Sequence, residues 1–208
     1  MLKPYHLRIL KKALRDKVSP RALEAISAAN IAQDNLHGQF GHDEYHFDNN
    51  AFEASYAYIE ENRALIKPAL EKNDVTTAWA AFGRLTHTAH DFYAHSNYIR
   101  LWFEQFDEGN APSVAEVDHA NPTFLQHPDL HSGKLYYPLE LLYFVPGLKK
   151  YVLPYLPRDS HAWMNLDTPE QGPLFGYAIA AAIKCTNDEW AKSTAIFSTD
   201  LLEKFTDL

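Results

Sequence analysis

The sequence has a single cysteine, Cys185, among its 208 residues, so an internal disulfide is excluded. Cysteine usage therefore gives no indication of an oxidising compartment. Long apolar runs are also missing, and the N-terminal stretch MLKPYHLRILKKAL has neither a continuous apolar core nor a small-residue cleavage site. From these absences we expect a cytoplasmic protein without a signal peptide or a transmembrane segment.

Positive charge is scarce as well. The chain has 19 lysine and arginine residues against 27 aspartate and glutamate residues, for a formal net charge of -8. Such a balance does not attract a polyanion, so long nucleic acids are unlikely partners. Apolar residues make up 46% of the chain, which is ordinary for a globular protein. The length suits one domain with a well-buried core, and we assign residues 1–208 to it.

Sustained alternation of apolar and polar residues is missing too, which disfavours a sheet. Helical periodicity covers most of the chain instead, so we predict an all-α, single-domain multi-helix bundle. Asp74 and Ser19 are predicted N-caps, and Thr186 to Asp188 is predicted to cap the final helix. The expected helices are 5–17, 20–36, 51–61, 65–72, 75–101, one starting at Thr168-Pro169, and a last one ending near Phe205. Residues 37–49 and 107–134 are expected to be loops.

The most informative stretch is THTAHDFYAHSN at residues 86–97. It places His87, Asp91 and His95 four residues apart, and each such step advances only about 40° around a helix. The three side chains therefore share one face. Two imidazoles and a carboxylate are suitable ligands for zinc and other first-row metals. The competing interpretation is a buried polar face whose residues bond only each other.

Further donor residues lie on other segments, namely His6, Asp34, His46 and His161. A single metal site needs three or four ligands, so this larger set suggests two or three ions held between helices. Asp91 lies between two histidines and could bridge two ions through separate oxygens. We therefore predict a metal cluster inside the bundle.

These motifs resemble a known superfamily. The helix motif HTAHDFYAHSN, the loop from Tyr45 to Asp48, the upstream Asn30 and Asp34, and His6 are similar to those of the zinc-dependent phospholipase C and fungal single-strand nuclease superfamily. Within it, the branch of the fungal heterokaryon-incompatibility C protein is the nearest in motif. The resemblance extends over residues 5–167.

The resemblance implies three zinc sites. Asp34, His46, His87 and Asp91 would hold one ion, His95 and His161 a second, and His6 with Asp91 a third. Secreted members add an N-terminal tryptophan to the third site, and this chain has no tryptophan there. The carboxylate expected four residues after His161 is Asn165 in this chain. Either Asn165, through its carbonyl oxygen, or Asp167 would complete the second site.

Apart from the resemblance, the residues themselves fit a phosphoester hydrolase. Two ions about 4 Å apart can hold a phosphate, activate a water and stabilise a leaving oxygen. We expect a metal-dependent phosphoester hydrolase, phospholipase C-like, with zinc as the metal and manganese or iron as alternatives. Its substrate would be a small phosphodiester or a phospholipid headgroup. Asp91 and Asp48 are the candidate catalytic residues, and Asp43 is a weaker candidate than Asp48 for orienting water. Asp48 could instead cap the helix that follows it.

Several alternatives stay open. His90 could be an outer ligand, support the ligands from behind or be solvated, and His131 could be a ligand or contact substrate. Asn97 could support a ligand histidine from behind or lie on the helix surface. The aromatic residues Tyr136, Tyr137, Tyr143, Phe144 and Tyr151 could line an acyl-chain groove, make peripheral membrane contact or pack in the core. Di-iron oxygen chemistry on the same scaffold and a non-catalytic metal-binding interaction module are the alternative functions.

Overall fold

The computed structural model describes residues 1–39, 41–107, 110–143, 145 and 147–208. Within these ranges the chain is helical, and the only β-structure is two isolated bridges. The predicted all-α single domain is therefore confirmed. The α-helices are α1 Lys3–Leu14, α2 Pro20–Ala32, α3 Leu36–Gln39, α4 Asp43–His46, α5 Phe52–Glu71, α6 Val75–His95, α7 Tyr98–Phe103, α8 Pro122–Leu125, α9 Leu139–Tyr143, α10 Lys149–Val152, α11 His161–Met164, α12 Phe175–Thr194 and α13 Thr199–Thr206. Short 3₁₀ turns cover Asp48–Asn50, Val114–Glu116, Leu153–Tyr155 and Pro169–Gln171.

Helix α6 is the central element, with α2, α5 and α12 packed around it. Every residue from Leu85 to His95 is buried, so this half of the helix has no solvent face. The helix begins as predicted, because the Asp74 carboxylate accepts a hydrogen bond from the Thr77 main-chain N–H at 3.0 Å. The polar side chains of its second half are thus held inside the bundle.

Helix α6 ends at His95, six residues before the predicted end. Ser96 has an extended backbone and pairs with Ser132 in an antiparallel bridge, so tertiary pairing replaces the next helical turn. A new helix, α7, then runs in a separate piece. The break leaves His95 at the C-terminal end of α6, facing the segment that leads to His161.

Gly83 sets the close crossing of α2 over α6. A Cβ atom at this position would lie 2.4 Å from the Ile26 carbonyl oxygen and 2.8 Å from the Ala29 Cβ. Any larger residue would force the two helices apart. The crossing fixes the end of α2, and with it Asp34, beside the polar part of α6.

Two helix predictions in the second half of the chain are wrong. Thr186 is buried inside α12 and does not cap a helix, because its hydroxyl donates to the Ala182 carbonyl at 2.7 Å. The final helix is α13, whose N-cap is Ser198. The predicted helix start at Thr168-Pro169 is only a 3₁₀ turn, and α12 begins at Phe175.

Two further boundaries differ from prediction. The segments predicted as 51–61 and 65–72 form one helix, α5, since nothing between them breaks a helix. Arg63, in the middle of that span, forms an ion pair with Glu189 of α12. The predicted loop at 37–49 contains the short helix α4.

In the part of the chain that the structure describes, no helix combines the length and hydrophobicity that crossing a bilayer requires.

Gly133 joins the end of α6 to the start of α11. Its N–H donates to the His95 carbonyl at 2.9 Å, and its own carbonyl accepts from the Asn49 N–H at 2.9 Å. A Cβ at Gly133 would lie 2.6 Å from the His161 Cα. This close approach is what brings His161 beside His95.

Candidate metal centre

A first group of donor atoms forms where α1, α6 and the end of α2 meet. His6, Asp34, His87 and Asp91 each place one donor atom within 4.8 Å of the others. The His87 Nε2 lies 3.1 Å from Asp91 Oδ2 and 3.7 Å from Asp34 Oδ1. The structure thus brings together four residues that the sequence analysis took from three separate segments.

Asp91 uses its two oxygens in different directions. Its Oδ1 lies 3.3 Å from His6 Nε2 and 2.7 Å from the Met1 nitrogen. Its Oδ2 lies 3.0 Å from His46 Nδ1 and 3.1 Å from His87 Nε2. A carboxylate in this position can bridge two ions, one through each oxygen.

A second group adjoins the first and consists of Asp48, His95 and His161. The Asp48 Oδ1 lies 2.9 Å from His161 Nδ1 and 3.4 Å from His95 Nδ1. On the other side of the same rings, Asp167 Oδ1 lies 3.1 Å from His95 Nε2, and its Oδ2 lies 3.7 Å from His161 Nε2. Asp48 and Asp167 therefore contact the two imidazoles from opposite sides.

Main-chain carbonyls determine which nitrogen of two rings is available. His95 Nδ1 donates to the His46 carbonyl at 2.9 Å, which leaves Nε2 facing Asp167. His46 Nε2 donates to the Gly38 carbonyl at 3.3 Å, which leaves Nδ1 facing Asp91. A ring held in this way by its other nitrogen is typical of histidine metal ligands.

His6 is oriented by a chain of hydrogen bonds through His90 to Thr186. The Thr186 hydroxyl donates to Ala182, so at 2.9 Å it accepts from His90 Nε2–H. The His90 Nδ1 then carries no proton and accepts a hydrogen bond from the His6 Nδ1–H at 2.9 Å. This leaves the lone pair of His6 Nε2 pointing at Asp91 with no hydrogen-bond partner among the described residues.

The residues present fit a metal ion. Ligand–zinc bonds of about 2.0–2.1 Å in a tetrahedron put neighbouring ligand atoms about 3.3 Å apart. The separations between His6 or His87 and Asp91 are 3.3 and 3.1 Å. A metal ion bound to both atoms would stabilise the His6 Nε2 lone pair where it faces the Asp91 carboxylate oxygen. Asp34 Oδ2 is also buried without a hydrogen-bond partner in the described chain.

Burial and neighbouring charges shift the pKa values of the donor residues in different directions. Burial lowers the pKa of His87 to about 4, against the opposing effect of Asp91. Burial also opposes the charge on His161 and His46, but nearby carboxylates, Asp48 for His161 and Asp91 for His46, outweigh it and raise both pKa values. For Asp91, burial favours the neutral acid, yet the positive groups around it hold its pKa well below the usual value. Without metal, His161 and His46 therefore keep a proton that a metal ion would displace.

His90 stays neutral. Burial, reinforced by the neighbouring imidazoles of His6 and His87, lowers its pKa well below the ordinary histidine value. Its place behind His6, away from the cavity, agrees with the supporting role among the options that the sequence analysis left open.

Asn165 is buried beside the second group, with its amide engaged elsewhere. Its Nδ2 donates to the His161 carbonyl at 2.8 Å, and its Oδ1 accepts from Gln171 Nε2 at 2.6 Å. Asp167, with both oxygens directed at the His95 and His161 rings, has the better placement for a ligand.

Asn97 and His131 contact each other and not the residues of the two metal-donor groups. The Asn97 Oδ1 accepts from the His131 N–H at 2.9 Å, and the Asn97 Nδ2 donates to the Asp129 carbonyl at 2.9 Å. Together they hold the loop that follows α8. Asp48 does not cap α5, whose N-cap is Ala51, and Asp43 instead accepts from Asn49 Nδ2 at 2.9 Å.

The second donor group opens onto a cavity of about 410 Å³. Donor residues form its floor, among them His46, His95, His161 and Asp167. Its walls include the apolar side chains of Leu2, Leu135, Tyr137 and Leu141. A small ligand with a polar end and an apolar end fits this division.

Sequence reasoning missed two groups at the centre. Thr186, which fixes the ring of His90, had been assigned to a helix cap, and no local pattern connects it to a histidine 96 residues away. The Met1 nitrogen lies 3.0 Å from both Asp167 Oδ1 and His95 Nε2. Its position depends on where α1 packs, which the sequence pattern does not specify.

A family model described as the VWA7 N-terminal domain matches residues 9–121, which is more than half of the chain. The matched range contains Asp34, His46, Asp48, His87, Asp91 and His95. The remaining donors, in α1 and in the segment 161–167, lie outside it. Comparisons with curated proteins and with solved structures gave no match.

Proposed function

The chain belongs to the VWA7 N-terminal domain family, and from its donor groups we propose that it is a metal-dependent phosphoester hydrolase of the phospholipase C type. The observation that carries the proposal is the convergence of two adjoining groups of histidine and aspartate donors, of which the second group, together with Asp34 of the first, lines an open cavity. Bound divalent ions, with zinc the first choice and manganese or iron as alternatives, would polarise a phosphoester and activate water. The substrate would be a small phosphodiester or a phospholipid headgroup.

Named residues support distinct tasks. His6, Asp34, His46, His87 and Asp91 would hold one part of the metal cluster, with Asp91 shared between ions. His95, His161 and Asp167 would hold the other part. The third site implied for His6 and Asp91 stays a prediction, as does Asn165 as a ligand.

Asp48 has a geometry that supports a positioning task. It is buried, and its Oδ1 accepts from His161 Nδ1–H at 2.9 Å, which directs Nε2 of that ring towards Asp167. The orientation of water that we expected of Asp48 from the sequence stays a prediction. The cavity walls of Leu135, Tyr137 and Leu141 would exclude bulk water from one side of a bound phosphoester.

Two observations favour hydrolysis over the alternatives. Both donor groups found among the described residues use aspartate as their only carboxylate, whereas di-iron bundle sites are rich in glutamate. A purely structural metal site is closed, whereas this one faces a cavity of about 410 Å³. The resemblance to the zinc-dependent phospholipases and the cytoplasmic location both stay predictions.

Metal content and phosphodiester hydrolysis test the proposal together. The purified protein is loaded with zinc, dialysed, and analysed for metal, and its hydrolysis of bis(p-nitrophenyl) phosphate is then measured. We expect at least one retained ion and a rate that Asp91→Asn lowers by about 10²-fold or more, because Asp91 contacts three of the histidines, His6, His46 and His87.

His119→Ala is the matched control. His119 is a histidine paired with an aspartate, Asp188, at 2.8 Å, but it lies away from both donor groups. It should leave metal content and rate unchanged. Retained zinc without hydrolysis would favour the non-catalytic interaction module, and the failure to retain zinc, manganese or iron would remove the proposal.

A further inference from the structure

Exposed apolar side chains are concentrated in one segment next to the cavity. Of the sixteen large hydrophobic side chains exposed in the described chain, eight lie between residues 137 and 155. Tyr151 and Tyr155 are 62% and 78% exposed. We call the six of these residues that do not line the cavity the apolar face: Leu139, Leu142, Val145, Leu148, Tyr151 and Tyr155. A concentration of this kind on a globular protein marks a binding surface.

The exposure of the apolar face is built into the local structure. Helix α9 turns Glu140 and Tyr143 inward, and the Glu140 carboxylate accepts from the Ala162 N–H at 2.7 Å. This contact ties α9 to α11 and leaves Leu139 and Leu142 on the outside. Helix α10 turns Val152 inward, which leaves Tyr151 exposed, and Tyr155 of the following 3₁₀ turn is exposed as well.

Basic side chains accompany the apolar face, although the chain as a whole carries a net charge of -8. Lys149 and Lys150 are exposed and lie over the rings of Tyr143 and Tyr151, at 5.0 and 4.8 Å. Neither lysine forms an ion pair with a carboxylate of the described residues. Tyrosine and lysine around exposed leucines are the composition that favours the headgroup region of an anionic bilayer.

The apolar face is continuous with the cavity of the metal centre. Tyr137 and Leu141 lie in the same exposed segment and also line the cavity. Leu2, which is 50% exposed, lines the cavity too. A bilayer seated on the apolar face would therefore meet the cavity mouth.

We propose that the apolar face, with Lys149 and Lys150, docks the protein on an anionic lipid bilayer. The lysines contact the headgroup phosphates and carboxylates, and the leucines and tyrosines enter the interface. The consequence for substrate, that the phosphoester comes from a membrane lipid, rests on the proposed function, whereas the docking itself does not.

Vesicle co-sedimentation tests the docking with the full chain. The vesicles are phosphatidylcholine with about 30% phosphatidylserine, compared with pure phosphatidylcholine. We expect binding to the anionic vesicles that weakens with added salt and is weaker on the neutral ones. The double variant Lys149→Ala/Lys150→Ala should bind about 30-fold more weakly at low salt, which is about 1 kcal/mol for each lysine.

Matched controls use the same substitutions elsewhere. Lys11 and Lys12 are also an adjacent pair of exposed lysines, on α1, so Lys11→Ala/Lys12→Ala should leave binding unchanged. Tyr151→Glu should weaken binding, and Ile196→Glu, at a position that is 63% exposed, should not. All four variants change exposed side chains, and circular dichroism and thermal unfolding verify their folds.

Three results would overturn the docking proposal. One is that the unsubstituted protein does not bind anionic vesicles. Another is that the control substitutions at Lys11, Lys12 and Ile196 weaken binding as much as those in the apolar face and its lysines. The third is self-association through this face, seen as a dimer that Tyr151→Glu dissociates. Binding is measured both with zinc and with a chelator, so vesicle binding without phosphodiester hydrolysis would count against the proposed function alone.

Discussion

The hydroxyl of Thr186 makes the supporting contact most open to a quantitative test. Thr186→Val keeps the shape of a buried side chain and removes the acceptor of the His90 Nε2–H, a hydrogen bond of 2.9 Å. An unpaired buried donor costs about 1–3 kcal/mol. The metal-free protein can avoid that cost if the proton moves from Nε2 to Nδ1 of His90. His6 then carries its proton on Nε2, where the N–H is 3.3 Å from the negatively charged Asp91 Oδ1.

Metal binding does not tolerate this exchange, because a protonated Nε2 of His6 cannot be a ligand. The variant must therefore return to the original tautomers to bind zinc. We expect its zinc affinity to fall about 10–100-fold, or about 1.4–2.7 kcal/mol, as for other residues that support a ligand. Its metal-free stability should change less than its affinity does.

Competition with a chromogenic chelator measures the affinity, and thermal unfolding with chelator measures the metal-free stability. Imidazole nitrogen shifts in NMR spectra report the tautomers of His6 and His90 directly. Thr194→Val is the control, since Thr194 also lies in α12 and also donates to a carbonyl one turn earlier, at 2.9 Å. Equal zinc affinity in Thr186→Val and the unsubstituted protein would refute the reasoning.

Three further predictions follow from the same structure. His161 and His46 have raised pKa values and keep their protons to higher pH, so zinc binding should release protons. The zinc affinity should therefore rise about tenfold per pH unit for each proton displaced, until the pH passes those raised pKa values. Calorimetry in two buffers measures the proton release. Gly83→Ala should destabilise the protein by about 1–3 kcal/mol in denaturant unfolding, whereas Gly176→Ala, whose new Cβ would meet nothing closer than 3.5 Å, should be neutral or stabilising. Trp79→Phe loses a 2.7 Å hydrogen bond to a buried carbonyl and should lower stability by about 1–3 kcal/mol, and unchanged unfolding would contradict this.

The polar face of α6 was predictable because helical periodicity is a local property. Asp74 supplies an N-cap, the residues that follow contain no helix breaker, and the spacing of His87, Asp91 and His95 then determines a shared face. Residues on other segments, such as His46, were identified by residue type and by resemblance, and the structure places them at the same centre.

The predictions of helix ends and caps that were wrong depended on contacts between distant segments. Helix α6 ends at His95 because Ser96 pairs with Ser132, and no local feature of the sequence predicts that bridge. Thr186 appeared to be a helix cap because threonine is a good cap residue, yet the packing of α12 against α6 gives it an interior place. Asn165 as a ligand is not among the failures and stays a prediction, although its Nδ2 donates to the His161 carbonyl.

The donor residues are distributed from one end of the chain to the other, from His6 in α1 to Asp167 just before α12. In a protein whose single thiol permits no internal disulfide, ions held at this centre would act as reversible cross-links between α1, α6 and the segment around α11. Each would shorten the loops available to the unfolded chain and add its binding free energy to folding. Availability of metal in the surroundings would then set the lifetime of the folded protein as well as its chemistry.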